Sequence, residues 1–231
     1  RTGADLEVKT SYGGSGSQTR AVIDGLDADL VTLALPADVL KLEKAGLVQP
    51  GWEKELPNES NITHSVVTFL TRAGNPKGIR SWADLARPGL GVLTANPKTS
   101  GGARWNFLGL WGSVSRTGGS EKAAEAFVTK VYGNVSNLPK DAREASDAFL
   151  NRGQGDVLLT YENEALLAAK EGVGNDTTRV VPAVNIRIDG PVAVVDRNVE
   201  RKGSRKAAEA LATYLQGEEA QEIFAEEGFR P

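Results

Sequence analysis

Asn96-Pro97-Lys98-Thr99-Ser100-Gly101-Gly102-Ala103-Arg104-Trp105-Asn106 lies between a short β-type run, Gly91–Thr94, and a helical pattern, Ala103–Gly112. It therefore reads as a strand–loop–helix junction. The first turn of a helix leaves about four backbone N–H groups without acceptors and carries roughly half a positive charge. Glycine lets a ligand approach that backbone closely, and serine adds a hydroxyl donor. A helix start of this composition suits an anion.

The same arrangement recurs on either side. Ser11-Tyr12-Gly13-Gly14-Ser15-Gly16-Ser17-Gln18 separates a strand expected at Leu6–Thr10 from a helix over Gln18–Gly25. Asp141-Ala142-Arg143-Glu144 opens a helix running to Asn151, after a short strand around Gly133–Ser136. One such loop is ordinarily no more than a capped turn; two that open helices after strands favour an anion site. Neither loop ends in Gly-Lys-Ser/Thr, so neither is a nucleotide P-loop, and the dinucleotide fingerprint is absent.

Strands are expected at Asp29–Leu33, Ser65–Arg72 and Asp156–Thr160, with extended segments at Val180–Val181, Ile186–Ile188 and Val192–Val195. Helices are expected at Ala37–Ala45 (stopped by Gly46), Glu121–Val131, Glu162–Lys170, Ser204–Gln216 and Glu218–Glu226, with a Ser81-capped turn at Trp82–Ala86. This alternation predicts an α/β fold of parallel sheets flanked by helices, with ligand beyond the carboxyl ends of strands. Gly172–Thr178 is the best loop near a lobe boundary.

The 231 residues suffice for two lobes, and a net charge of -3 argues against a nucleic-acid partner. No apolar run approaches the roughly 18 residues of a membrane-spanning helix. The absence of cysteine removes thiolate chemistry, disulfides and Cys-based zinc sites. A catalytic triad would have to use His64, the sole histidine, and no Gly-x-Ser-x-Gly elbow accompanies it. The chain starts at Arg1 with neither Met nor a secretory signal, which reads as a processed or trimmed piece.

Tyr12–Gln18 (YGGSGSQ), Ala28–Leu35 (ADLVTLAL), Gly74–Lys77 (GNPK), Asn96–Asn106 (NPKTSGGARWN), Gly155–Leu159 with Glu162–Leu166 (GDVLL and ENEAL) and Phe229-Arg230-Pro231 resemble the periplasmic sulfate-binding proteins. The match runs in order along nearly the whole chain. It implies a two-lobed periplasmic-binding-protein-like fold of type II with the ligand cleft between lobes. Residues 1–71 and 182–231 would form one lobe and 72–181 the other. The family's first strand and its C-terminal tail are expected to be missing here. The resemblance implies sulfate held by uncharged donors, at Ser15, Ser100, Gly101, Gly102 and Ala142. The family's tryptophan donor falls at Tyr161, whose phenol can also donate but with different reach. No catalytic residue, metal or cofactor is implied. The partners would be sulfate and the membrane permease subunits of an ABC importer, the protein a monomer, and the compartment the periplasm, or a plastid envelope or stroma in an alga. Thiosulfate, molybdate or phosphate as ligand, or a ligand-sensing domain of the same fold, are the alternatives.

Lys98 and Arg104 are expected to stay off the ion, while Arg143 lies one residue from Ala142. Asp141 and Glu162 are read as an N-cap and a first-turn helix charge turned away from it. Trp82, Trp105 and Trp111 are read as core, and His64 as structural or solvent-facing.

Overall fold

The computed structural model describes residues 7–230. Its spine is β2 (Asn61–Arg72), a strand of 12 residues that changes partners midway. Residues up to Val66 pair antiparallel with β6 (Arg187–Val194). From Val67 the strand pairs antiparallel with β4 (Val157–Tyr161) on one side, and from Phe69 with β5 (Thr177–Val180) on the other. At one edge β1 (Leu30–Thr32) joins β6, antiparallel; at the other, β3 (Val92–Leu93) joins β4. The path is β1-β6-β2-β4-β3.

The α/β class stands, but the sheet is mixed. Only β3–β4 is a parallel ladder among the described residues, with one parallel bridge from Val92 to Val135 where a strand was expected. The antiparallel β2–β6 pair has a topological cause: the chain leaves one half of the molecule along β2 and returns along β6, so the two connecting strands point in opposite directions.

Alternation along the strands explains why they are nearly all apolar. Val67 and Phe69 of β2, Val157 and Leu159 of β4 and Val92 of β3 face one core, with Trp82, Leu110, Val128 and Val131. Leu70, Leu158 and Leu93 face the other, with Ala145, Ala148 and Phe149. Side chains of a strand point alternately to opposite faces, so a sheet covered on both faces reads as a continuous apolar run. Helices α3 (Gly101–Ser115) and α4 (Glu121–Tyr132) cover the first face, and α5 (Ala142–Leu150) and α6 (Glu162–Lys170) the second. Ser120 accepts from the Ala123 N–H at 3.2 Å and caps α4, a contact worth about 1 kcal/mol.

The β1–β6 half has its own core. Val22 of α1 (Ser15–Ile23), Val39 and Leu42 of α2 (Pro36–Lys44), Trp52 and Val195 pack together there. Gly46 (φ +68) ends the α2 segment in a conformation that favours glycine. Helix α7 (Asp196–Lys202), not foreseen, follows β6 directly, then α8 (Arg205–Leu215) and α9 (Glu218–Glu226). Its start is fixed at long range: Asp196 accepts from the Gln49 N–H and from Arg205, each at 2.7 Å.

Three boundaries move. Strand β2 starts at Asn61, not Ser65, because the Asn61-Ile62-Thr63-His64 run finds its partners on β6. Helices α1 and α3 start at Ser15 and Gly101, inside the glycine loops, not after them. Of the strand expected at Leu6–Thr10, Leu6 lies outside the described residues and the rest has no regular structure.

Candidate anion-binding site

The loop before α3 is folded by Asn96. Its carbonyl accepts from the Thr99 and Ser100 N–H groups at 3.1 and 2.8 Å, and its side chain accepts from the Lys98 N–H at 2.9 Å. Ser100 becomes the N-cap and accepts from the Ala103 N–H at 3.4 Å, leaving its own proton to donate. Gly101 and Gly102 then occupy the first turn, where N–H groups have no intrahelical acceptor.

The glycines are required by what surrounds them. A Cβ at Gly101 would lie 2.5 Å from Ala34 Cβ and 2.9 Å from Ser15 Cβ. A Cβ at Gly102 would meet the Tyr161 ring and hydroxyl at 3.2 Å. The two glycine-rich loops also press on each other: the Gly16 N–H donates to Thr99 O at 3.1 Å, and a Cβ at Gly14 would lie 2.6 Å from that oxygen. The third junction is tied in by Thr99 Oγ1, which donates to Lys140 O at 2.5 Å, and by the Asn96 N–H, which donates to Pro139 O at 2.7 Å. Asp141 caps α5 by accepting from the Glu144 N–H at 2.9 Å, as its position indicated.

The N-termini of α1, α3 and α5 are thereby gathered. Ser15 sits against Gly101 and Tyr161 against Gly102, while Ala142, Gly102 and Tyr161 line a common cavity. All six residues singled out from the sequence are in this region. Burial pushes the Tyr161 phenol pKa up, with the Glu164 charge adding to the effect, so the group keeps its proton.

One charge cluster borders the site. Asp38, on α2, is fully buried. It accepts two hydrogen bonds from the Arg104 guanidinium at 2.5 and 2.6 Å, one from Lys41 at 2.8 Å and one from the Ser15 hydroxyl at 2.5 Å. Burial works to raise the Asp38 pKa, but the hydrogen bonds from Arg104, Lys41 and Ser15 outweigh it and hold the carboxyl below its ordinary value. The guanidinium face of Arg104 is therefore spent on Asp38. Trp105 extends the contact between the halves, its indole N–H donating to Ala34 O at 2.5 Å.

Ser15 is more committed than its sequence position suggested. Its hydroxyl proton goes to Asp38, and its oxygen accepts from the Ala34 N–H at 3.2 Å. Sequence reasoning missed Asp38 altogether. An aspartate three residues into a Pro36-led helix reads as an ordinary first-turn charge, and nothing local marks it as the partner of a residue 66 positions away. Glu162 is buried beside Arg230 and Arg179, which donate to it at 2.6 and 3.4 Å. His64 pairs with Asp189 at 2.8 Å between β2 and β6. The Trp82 ring is buried edge-on to Phe69, with its N–H on Val184 O. Among the described residues no group of three or more His, Cys, Asp or Glu is placed to hold a metal, and no helix is long and apolar enough to cross a membrane.

A sulfate-binding protein of Synechocystis sp. is 57% identical over 232 residues, covering 100% of this chain and 65% of the relative. One from Escherichia coli K12 is 46% identical, covering 100% and 70%. A thiosulfate-binding protein of Pseudomonas aeruginosa is 42% identical, covering 99% and 69%. The chain thus spans just under two thirds of the length of its cyanobacterial relative. Among solved structures, the sulfate-binding protein SubI from Mycobacterium tuberculosis H37Rv superposes with a TM-score of 0.87 at 40% identity, covering 96% of this chain and 75% of SubI. The fold is the two-lobed, type II periplasmic-binding-protein fold. The family model described as bacterial extracellular solute-binding protein matches residues 1–230, and with these gathered helix starts between two half-sheets the chain belongs to that family.

Proposed function

We propose that this chain forms the anion-binding body of a monomeric periplasmic sulfate receptor that serves an ABC importer and catalyses nothing. The observation that carries the reading is the meeting of three helix N-termini around Ser100-Gly101-Gly102, beside a charge pair that neutralises itself. In this reading the Gly101, Gly102 and Ala142 N–H groups and the Ser100 and Tyr161 hydroxyls donate to sulfate. Ser15 joins them by turning its proton from Asp38 to the ion, Arg104 and Lys41 keeping the carboxylate satisfied. Residues 1–71 with 182–231, and residues 72–181, act as the lobes, connected through β2 and β6, and their closure buries the ion.

A dianion taken out of water is very costly unless donors solvate each oxygen. Hydrogen bonds to a charged group contribute about 1.5–3 kcal/mol each, and preorganised dipoles need no rearrangement to supply them. The ceiling of about 1.5 kcal/mol per ligand atom gives about 7.5 kcal/mol for five atoms, a dissociation constant of order micromolar. Hydrogen phosphate carries a proton that needs an acceptor, so a site of donors disfavours it.

Calorimetric titration with sulfate, thiosulfate, molybdate and phosphate tests the reading. Micromolar sulfate binding with phosphate weaker by about 100-fold or more is expected; sulfate binding only in the millimolar range refutes it. Thiosulfate is the second reading, favoured by the 42% identical thiosulfate-binding relative, and would win if it bound more tightly than sulfate in the same titration.

A further inference from the structure

Among the described residues, three side-chain oxygens at or beside the proposed donors are buried and reach no protein partner: Asn106 Oδ1, Thr160 Oγ1 and Tyr161 Oη. Their residues line one cavity of about 10 Å³, which Gly102 and Ala142 also line. Asn106 and Thr160 are 3% and 4% exposed. The orientation of Asn106 is fixed, because Nδ2 donates to Thr94 Oγ1 at 3.0 Å and to Leu159 O at 3.1 Å. A backbone carbonyl can only accept, so the amide cannot be flipped, and Oδ1 is an acceptor waiting for a proton.

Three unsatisfied oxygens on residues that line one small cavity are not what folded proteins tolerate. A water molecule needs a cavity of about 10–15 Å³ and makes about three hydrogen bonds. We infer that this cavity is a binding site for one ordered water that fixes the Tyr161 hydroxyl as a donor toward the anion. The water accepts from Thr160 Oγ–H and donates to Asn106 Oδ1 and to Tyr161 Oη. A phenol is both donor and acceptor; with its lone pair taken from behind, Tyr161 offers the site only its proton. Asn106 and Thr160 are then positioning residues that act through the water. The inference concerning the anion rests on the sulfate reading above, whereas the water site itself does not.

Thr160→Val tests it with little risk to the fold, since the side chains share a shape and the Thr160 hydroxyl makes no bond to protein. Sulfate titrations and thermal unfolding are run on the wild type, Thr160→Val, Tyr161→Phe and the double variant. Thr160→Val is expected to weaken sulfate binding about five-fold, the worth of one hydrogen bond, and to lower Tm. Added to Tyr161→Phe it is expected to leave affinity unchanged, because the group it positions is gone. An unchanged or raised Tm overturns the water site, since replacing an unhydrated orphan hydroxyl by a methyl relieves its burial. Equal affinity losses in both backgrounds, or none in either, overturn the link to Tyr161. If the wild type itself fails to bind sulfate, the receptor reading and the link to Tyr161 both fall, and the sign of the Tm change alone then decides the water site.

Discussion

Replacing Arg104 with methionine keeps most of the side chain's length and leaves Asp38 buried without the two hydrogen bonds of the guanidinium. Breaking one side of a buried ion pair costs about 3–5 kcal/mol, because the remaining charge stays out of water. Here the low end applies. Ser15 and Lys41 remain, but the Lys41 side chain is 53% exposed, so water screens much of its contribution. The expected loss is about 3 kcal/mol at pH 7, or a fall in Tm of about 6–12 °C for a chain of this size. Urea unfolding of both proteins at several pH values measures it. In the wild type Asp38 titrates below its unfolded value, so its contribution is full above about pH 4 and fades as pH falls through the folded value. In the variant the buried carboxyl titrates above its unfolded value, so its cost also fades on acidification. The gap between the proteins should begin to narrow above about pH 4 and go on narrowing as pH falls through the folded value of the wild type. A loss under about 1 kcal/mol at pH 7, or a gap that widens in acid, would refute the reasoning.

Gly101→Ala places a methyl 2.5 Å from Ala34 Cβ; a destabilisation of about 1–3 kcal/mol and loss of sulfate binding are expected, read by urea unfolding and calorimetry. Gly102→Ala meets only the edge of Tyr161 at 3.2 Å, and should cost less stability than Gly101→Ala while still weakening sulfate. Phe149→Ala empties a fully buried ring site on which Arg72 is stacked at 3.8 Å; about 3–5 kcal/mol of stability should go.

Much of the local structure around the candidate site is legible because its elements are local. Asp141 ahead of Ala142 marks its helix start to the residue, while Ser100 with its two glycines and the small residues of Gly13–Gly16 mark junctions whose helices begin earlier than the apolar pattern shows, at Gly101 and Ser15. The apolar spacing of Glu121–Tyr132 and the uniform Val157-Leu158-Leu159 run likewise announce a one-faced helix and a strand covered on both sides.

Caps, glycines and periodicity act over a few residues, so the α/β class and the helix starts that carry the proposed donors can be read from the chain alone. That α1, α3 and α5 meet, that the sheet is mixed, and that Asp38 takes up Arg104 and the Ser15 proton became fixed on folding. Those outcomes depend on contacts between residues tens of positions apart. Such contacts leave no periodic trace in sequence, since any aspartate at a helix start looks the same until something is folded against it.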